Sequence, residues 1–344
     1  MSGKRPVAPE GFSQTSTQLV VREQEPGSGR STVQRFVMGV LWCSLGSAFL
    51  PLAPVLANVL VAFGGAVAMA RGGRRERVIV LLCSLAAGSL SSFALVGADG
   101  LPMTVISIVC AYALARAMVL DRLSTGRVIV AAMVATAVML VADTVATTQQ
   151  GTSVSELVTT VVNETVESNL DSLDLEGTTA LLETRDSLVA YWPVIYFCVG
   201  LALVLCALGG AWLGARTSGV AIEPGMISRF DVPLWVAVLF AAGVAAQLLG
   251  PRLPAWQDET TMVGANVVMC ARIVLAQQGL SVLQWWMRER RAIPPVRTAV
   301  VLMGVWLELS FALTSVLGLL DVAINFRRLE RGRADLIPRP TREG

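Results

Sequence analysis

The sequence predicts an all-α integral membrane protein, a bundle of about eight to ten transmembrane helices, some short or paired as hairpins. Three observations carry that expectation. Of 344 residues 54% are apolar and only 15% charged, and the mean hydropathy is +0.64, more apolar material than one soluble core of this size buries. The apolar residues come in uncharged runs of about 20, the length that crosses a hydrocarbon core. Arginine clusters recur in alternate loops between the runs, as the preference for positive charge on the cytoplasmic side requires. These features argue against a soluble enzyme and against a disordered chain.

Residues 1–34 are rich in Ser, Gly, Pro, Gln and charge and read as a disordered cytoplasmic tail. The polytopic membrane domain covers 35–330, and 331–344 form a second cytoplasmic tail. The first apolar block, Phe36 to Ala70, is preceded by Arg35 and followed by RGGRRER at 71–77. Both ends then belong in the cytoplasm, and the block must cross twice. The stretch Pro51-Leu-Ala-Pro54 supplies the turn, leaving two helices each short of a full span. Spans over about 78–95 and 102–119 follow, joined outside by GADGLP; the cytoplasmic turn DRLSTGR (121–127) leads to a fifth span near 128–146. Spans six, seven and eight fall near 193–213, 232–250 and 261–286, with Arg216, Arg229 and MRERRAIPPVR (287–297) in cytoplasmic loops. The last block, 298–326, runs into FRRLERGR. If that basic stretch is cytoplasmic the block is a hairpin of two short helices; if the block is one tilted helix, the stretch lies outside, against the charge rule. The hairpin is expected, with both termini in the cytoplasm of a bacterial cell.

Between spans five and six lies the longest polar stretch, 147–192, with eight acidic residues and one basic, Arg185, which places it outside. Val154, Leu157, Val158, Val161, Val162, Val166, Leu170 and Leu173 recur at helical spacing, and Ser153 with Glu156 fits a capping box. An amphipathic helix of about 20 residues starting near 154 follows. Glu156, Glu164 and Glu167 on its polar face are the wrong sign for anionic lipid, so the helix covers the bundle's outer mouth, as a lid or as a structural cover. Asn163-Glu-Thr165 matches a glycosylation acceptor but nothing else points to a secretory pathway, so the match is read as chance.

The chain has no histidine, and its six cysteines sit singly inside apolar runs with no CxxC spacing. Imidazole catalysis, imidazole metal sites and thiol clusters are thereby removed. No phosphate-binding loop, dinucleotide fingerprint or nucleophile elbow occurs. The expectation is a protein that is not an enzyme and holds no cofactor or metal. Its arginine clusters suit topology and anionic lipid rather than nucleic acid. Small residues at spacing four (Ala62, Ala66, Ala70; Ala131, Ala135) suit close helix contact, within the chain or with a membrane-protein partner.

Three stretches carry a family resemblance: Tyr191-Trp192-Pro193 at the start of span six, AQQGLSVLQWWMRER (276–290), and GLLDVAINFRRL (318–329). With the span order they resemble the YybS-like family of bacterial inner-membrane proteins, over about 35–330. That family is considered similar to the substrate-binding S components of energy-coupling-factor vitamin transporters. The resemblance implies a compact bundle of short helices and a role in binding or transport, and brings no binding residues with it. The larger number of crossings and the acidic insert set this chain apart from a simple S component.

An ionisable residue within a span costs at least about 2.5–3.5 kcal/mol on insertion scales, so each needs a reason. Arg116 lies close enough to the cytoplasmic surface to snorkel. Arg272 and Glu308 both fall near the midplane, roughly 15 Å from their helix ends, and can pair. Two readings stand: a structural ion pair that fixes helix register, or a polar cavity that binds a small molecule or ion. Asn266, Gln277 and Gln278 share the Arg272 span, where interhelical hydrogen bonding is the simpler account than a polar wedge, and Asp143 lies at the outer end of span five, where solvation at the mouth also accounts for it. Asp321 and Asn325, four apart, precede Arg327 and Arg328 and read as a structural ion pair. The expected function is substrate binding or transport, through Arg272, Glu308, Asn266, Gln277 and Asp143 under the 154–173 helix. The alternative is an envelope scaffold or regulatory membrane protein without a ligand.

Overall fold

The computed structural model describes residues 29–70, 72–120, 123–170, 175–220, 227–252 and 256–329. The two expected tails, up to residue 28 and from 331, and Leu173 of the apolar stripe lie outside them. Among the described residues there are twelve α-helices and no strand: α1 Gly29–Phe49, α2 Pro54–Met69, α3 Arg74–Leu95, α4 Leu101–Val119, α5 Thr125–Gln149, α6 Val154–Leu170, α7 Leu175–Ala190, α8 Trp192–Thr217, α9 Leu234–Leu249, α10 Gln257–Glu289, α11 Pro294–Phe311 and α12 Leu313–Ile324. Six helices among them are long and apolar enough to cross a membrane, or seven if the bent pair α11–α12 is one span. With the short apolar α1 and α2, this is the expected all-α membrane architecture. One boundary differs: α1 begins at Gly29, inside the segment expected to be tail.

The first block is broken where the prolines put the break. Pro54 opens α2, and Leu52 and Ala53 donate backbone N–H bonds to Phe49 at 3.1 and 2.9 Å, closing the turn. A helix of 16 residues is about 24 Å long, short of a bilayer core. It is tolerated because protein surrounds it. α1 packs along one side and α8 along the other, and Ala57, Val61, Ala62 and Ala66 are fully buried. Gly210 and Gly214 of α8 form a G-x-x-x-G step against the Val59 and Phe63 carbonyls, where any Cβ would collide. Thus Ala62 and Ala66 are used within the chain. α3 is tied to α1 by Ser91 Oγ donating to the Ala48 carbonyl at 2.6 Å. Tyr112 of α4 donates to the Arg77 carbonyl at 2.6 Å, and α4 and α5 pack on α8. Helices α1–α5 and α8 form one half of the bundle.

The second half, α9–α12, is built on α10, whose 33 residues reach about 50 Å and overrun the hydrocarbon. α12 lies against it so closely that a Cβ on Gly279 would strike the Thr314 carbonyl and one on Gly318 the Leu275 carbonyl. Between α11 and α12 the axis turns by 102° at Ala312, which has φ 55°. Gly304 of α11 faces Leu280 and Leu283, while Glu308 reaches Arg272, so α11 runs against α10. Ser315 meets Arg272 and Asp321 meets Gln278, so α12 runs back with α10. Arg327 beyond it then contacts the Ser228 and Phe230 carbonyls of the α8–α9 connection. The chain therefore turns back toward the arginine-rich end where a hairpin was expected, but its bend of 102° is that of a broken span or a re-entrant loop rather than a full reversal.

At the opposite end the insert folds as two helices. The capping box forms as expected, Ser153 N donating to Glu156 Oε2 at 2.8 Å and Glu156 N to Ser153 Oγ at 3.2 Å. Val154 and Val166 of the stripe are buried, whereas Leu157 and Val161 remain exposed. The second helix, α7, was not expected, because its sequence has little apolar periodicity. Arg185 Nε donates to Asn163 Oδ1 at 2.7 Å and clips α7 to α6.

Candidate functional site

Arg272 and Glu308 do meet. Arg272 Nε lies 2.8 Å from Glu308 Oε1, and its terminal NH2 donates to the Glu308 backbone carbonyl at 2.9 Å. The carboxylate also accepts from Thr314 Oγ1 at 2.7 Å, Ser315 Oγ at 2.6 Å and the Ser315 backbone N–H at 2.8 Å. Ser315 is the third residue of α12. Glu308 thus caps the start of α12 from the helix before it, while Arg272 binds a carbonyl at the end of α11 and neutralises the carboxylate. One ion pair thus serves both sides of the Ala312 break: Arg272 adds a second donor to the Glu308 carbonyl, which also accepts the Ala312 N–H at 3.0 Å, and Glu308 accepts the Ser315 N–H. The pair ties α10 to the α11–α12 break.

A second polar cluster lies at the arginine-rich end. Gln278 ties α12 to the α8–α9 connection: its Oε1 accepts from Val232 N at 3.0 Å and its Nε2 donates to Asp321 Oδ2 at 2.7 Å. Arg327 pairs with Asp321 at 2.9 Å, as expected, and donates to the Ser228 and Phe230 carbonyls at 2.9 and 2.8 Å. Asp231 lies 3.9 Å from Arg327, and its N–H donates to Thr125 Oγ1 at 2.9 Å. Gln278, Asp231 and Asp321 are completely buried. In low dielectric such groups hold only when mutually bonded, so this cluster fastens the two halves at one end. Of the two glutamines named on this span, Gln278 makes the hydrogen bonds between elements, while Gln277, the one expected at a ligand site, is half-buried and its carbonyl accepts from Ser281.

Away from that fastening the halves part around a cavity of about 480 Å³ between α5, α8, α9 and α10. Its walls include Met133, Leu140, Phe197, Trp235, Leu239 and Val267. Of the five expected ligand residues only Asn266 lines it. This cavity is apolar and lies beside Arg272 and Glu308, neither of which lines it. Val263, Val267, Cys270 and Val274 form one stripe of α10, and Arg272, two positions from Cys270, projects about 200° away from it. Asp143 is held outside the cavity by the Tyr196 hydroxyl, which donates to Oδ2. Asn266 is almost wholly buried; its Nδ2 donates to the Met262 carbonyl at 2.8 Å and to the Ala190 carbonyl at the end of α7 at 3.1 Å. These two acceptors fix the amide's orientation. Among the described residues, Asn266 Oδ1 has no hydrogen-bond partner. The described residues contain no cluster of His, Cys, Asp or Glu that could hold a metal ion.

Sequence reading missed the cavity walls because an apolar residue facing a cavity looks like one facing lipid. Asp231 carried a usable signal, an acid at the threshold of span seven.

Long apolar helices in two halves, with buried charges confined to helix-fastening contacts, define a polytopic integral membrane protein. The chain belongs to the family described as predicted membrane protein (DUF2232), whose model matches residues 40–322. No curated protein and no solved structure matches it.

Proposed function

We propose that the protein is a non-enzymatic, substrate-binding or transport-related protein of the bacterial cell membrane, akin in role to the S components that the YybS-like resemblance brings in. One observation supports this above the others: the two halves are fastened at the arginine-rich end and leave a ligand-sized cavity between them, within the usual range of about 300–1,000 Å³. The cavity favours an apolar ligand over the polar one that a site at Arg272 and Glu308 would take. Thermal unfolding of the purified chain, screened against vitamins, amino acids, ions and apolar compounds, tests the reading. A ligand at a hundredfold excess over its Kd adds about 2.7 kcal/mol of stability. That gain disappears in Val267→Trp, which fills the cavity. Stabilisation by nothing, or by a compound that Val267→Trp leaves untouched, overturns the reading.

The scaffold alternative has its own support, since Arg272 and Glu308 are engaged with each other and with the α12 start. On that reading Val267→Trp is silent and the partner binds elsewhere.

A further inference from the structure

We infer that the cavity holds an acyl chain of a bilayer phospholipid, its headgroup remaining at the membrane surface; this rests on the binding role proposed above. The walls offer little to a polar ligand. Among the described residues no Arg, Lys, Asp or Glu lines the cavity. Thr136 donates its hydroxyl to the Ala132 carbonyl of its own helix at 2.9 Å, and Asn266 is sealed in, with under 1 Å² of its Oδ1 accessible. A charged group drawn inside would lose its water and gain no counter-charge, so it stays out. Exposed lining residues stand on α5, α9 and α10 alike, Met133, Leu239 and Val263 among them, so the cavity is open to its surroundings. Met133 stands about 12 Å into α5 and Leu239 about 8 Å into α9, depths at which the surroundings are hydrocarbon.

Shape decides between a lipid chain and a helix of a second copy or a partner. Along α5 the lining runs from Ile129 to Leu140 and along α10 from Met262 to Val274, about 16 and 18 Å of helix rise. Spread over that length, about 480 Å³ gives a mean cross-section of about 30 Å², whereas a helix about 10–12 Å across with its side chains fills about 80–110 Å². A membrane helix is therefore too thick for the slot. An extended polymethylene chain, whose carbons meet their neighbours at about 4 Å, is thin enough. An empty slot forfeits dispersion contacts along its walls, and a chain lying parallel to α5 and α10 restores them. The chain fills the gap that the two halves leave beyond their fastened end.

The probe is a phosphatidylcholine with a diazirine in one acyl chain, photolysed in nanodiscs that each hold one copy of the whole protein. Phe197 and Val274 line the cavity but are 7% and 6% exposed, whereas Leu90 of α3, outside it, is 73% exposed. Labelling at Phe197 and Val274 is expected to saturate as the probe's share of the lipid rises, as at a discrete site, while labelling at Leu90 rises in proportion. Unlabelled phosphatidylcholine and phosphatidylglycerol compete within about twofold of each other, since neither headgroup meets a charged wall. Ala137→Phe and Val267→Trp add bulk to two walls and lower labelling at Phe197 and Val274 about tenfold, with Leu90 unchanged. No label at Phe197 and Val274, label there that tracks Leu90, or label that neither variant lowers at native thermal stability overturns the proposal. So does a strong preference for one headgroup, which would put the headgroup in the site. So does label that vanishes when two copies share a disc, which would seat a second copy there. If a water-soluble compound stabilises the protein, Val267→Trp abolishes that gain and no label reaches Phe197, the lipid assignment fails while the binding role stands. If no compound stabilises it and no label reaches Phe197, both fail.

Discussion

Arg272 and Glu308 show how one ion pair can serve a backbone. The guanidinium bonds a carbonyl at the end of α11 and the carboxylate bonds an N–H at the start of α12. Arg272→Ala strips the charge partner and one of the two donors to the Glu308 carbonyl, the Ala312 N–H remaining, and a loss of about 2–3 kcal/mol in thermal or denaturant unfolding is expected. Glu308→Gln keeps an acceptor for Ser315 and loses about half of that. Neither change should alter ligand binding, because neither side chain lines the cavity. A folded, fully stable Arg272→Ala protein with lost binding would restore the polar-pocket reading. At the other cluster, Gln278→Leu leaves the Val232 N–H and Asp321 short of a partner in a sealed site. The expected loss is about 2–4 kcal/mol, read by the same unfolding measurement, with Gln278→Glu failing to rescue because it adds a second carboxylate beside Asp321.

Among the elements, α12 depends on contact without side chains. Gly318→Leu drives a branched side chain into the Leu275 carbonyl, so α12 must lift from α10. A cysteine placed at Ser315 should then become reactive to a membrane-permeant maleimide, while in an otherwise native chain it stays protected. The α6 start is a milder case: Ser153→Ala removes one half of the capping box and costs about 1 kcal/mol of insert stability, visible as faster hydrogen exchange in α6 with the membrane helices unchanged. The elements that were legible in sequence are those with a local signal. Pro51 and Pro54 marked the α1–α2 turn, Ser153 and Glu156 marked the α6 start, and uncharged runs marked the long spans. α7 was not legible, since it is held by Arg185 reaching Asn163 on a different helix.

For the whole molecule, the arginine-rich loops and both ends of the α11–α12 pair lie on one side of the bundle. Cysteines introduced at Arg291 and Leu329 should therefore be labelled from the same side of the membrane, and one at Gly151, beside the insert, from the other. Labelling of 291 and 329 from opposite sides would make α11–α12 a single crossing. The sequence by itself determined that this is an all-α membrane protein, where most helices begin and end, and that Arg272 can meet Glu308. Those outcomes depend on composition, local turn chemistry and the cost of burying charge, each carried by residues near one another in the chain or by charges with few places to go. Only the tertiary structure decided that the pair sits at the Ala312 break, that Gln278 rather than Gln277 ties α12 to the α8–α9 connection, and that the cavity is apolar. Membrane helices are apolar on every side, so which face meets lipid, protein or empty space is set by the neighbours they pack against.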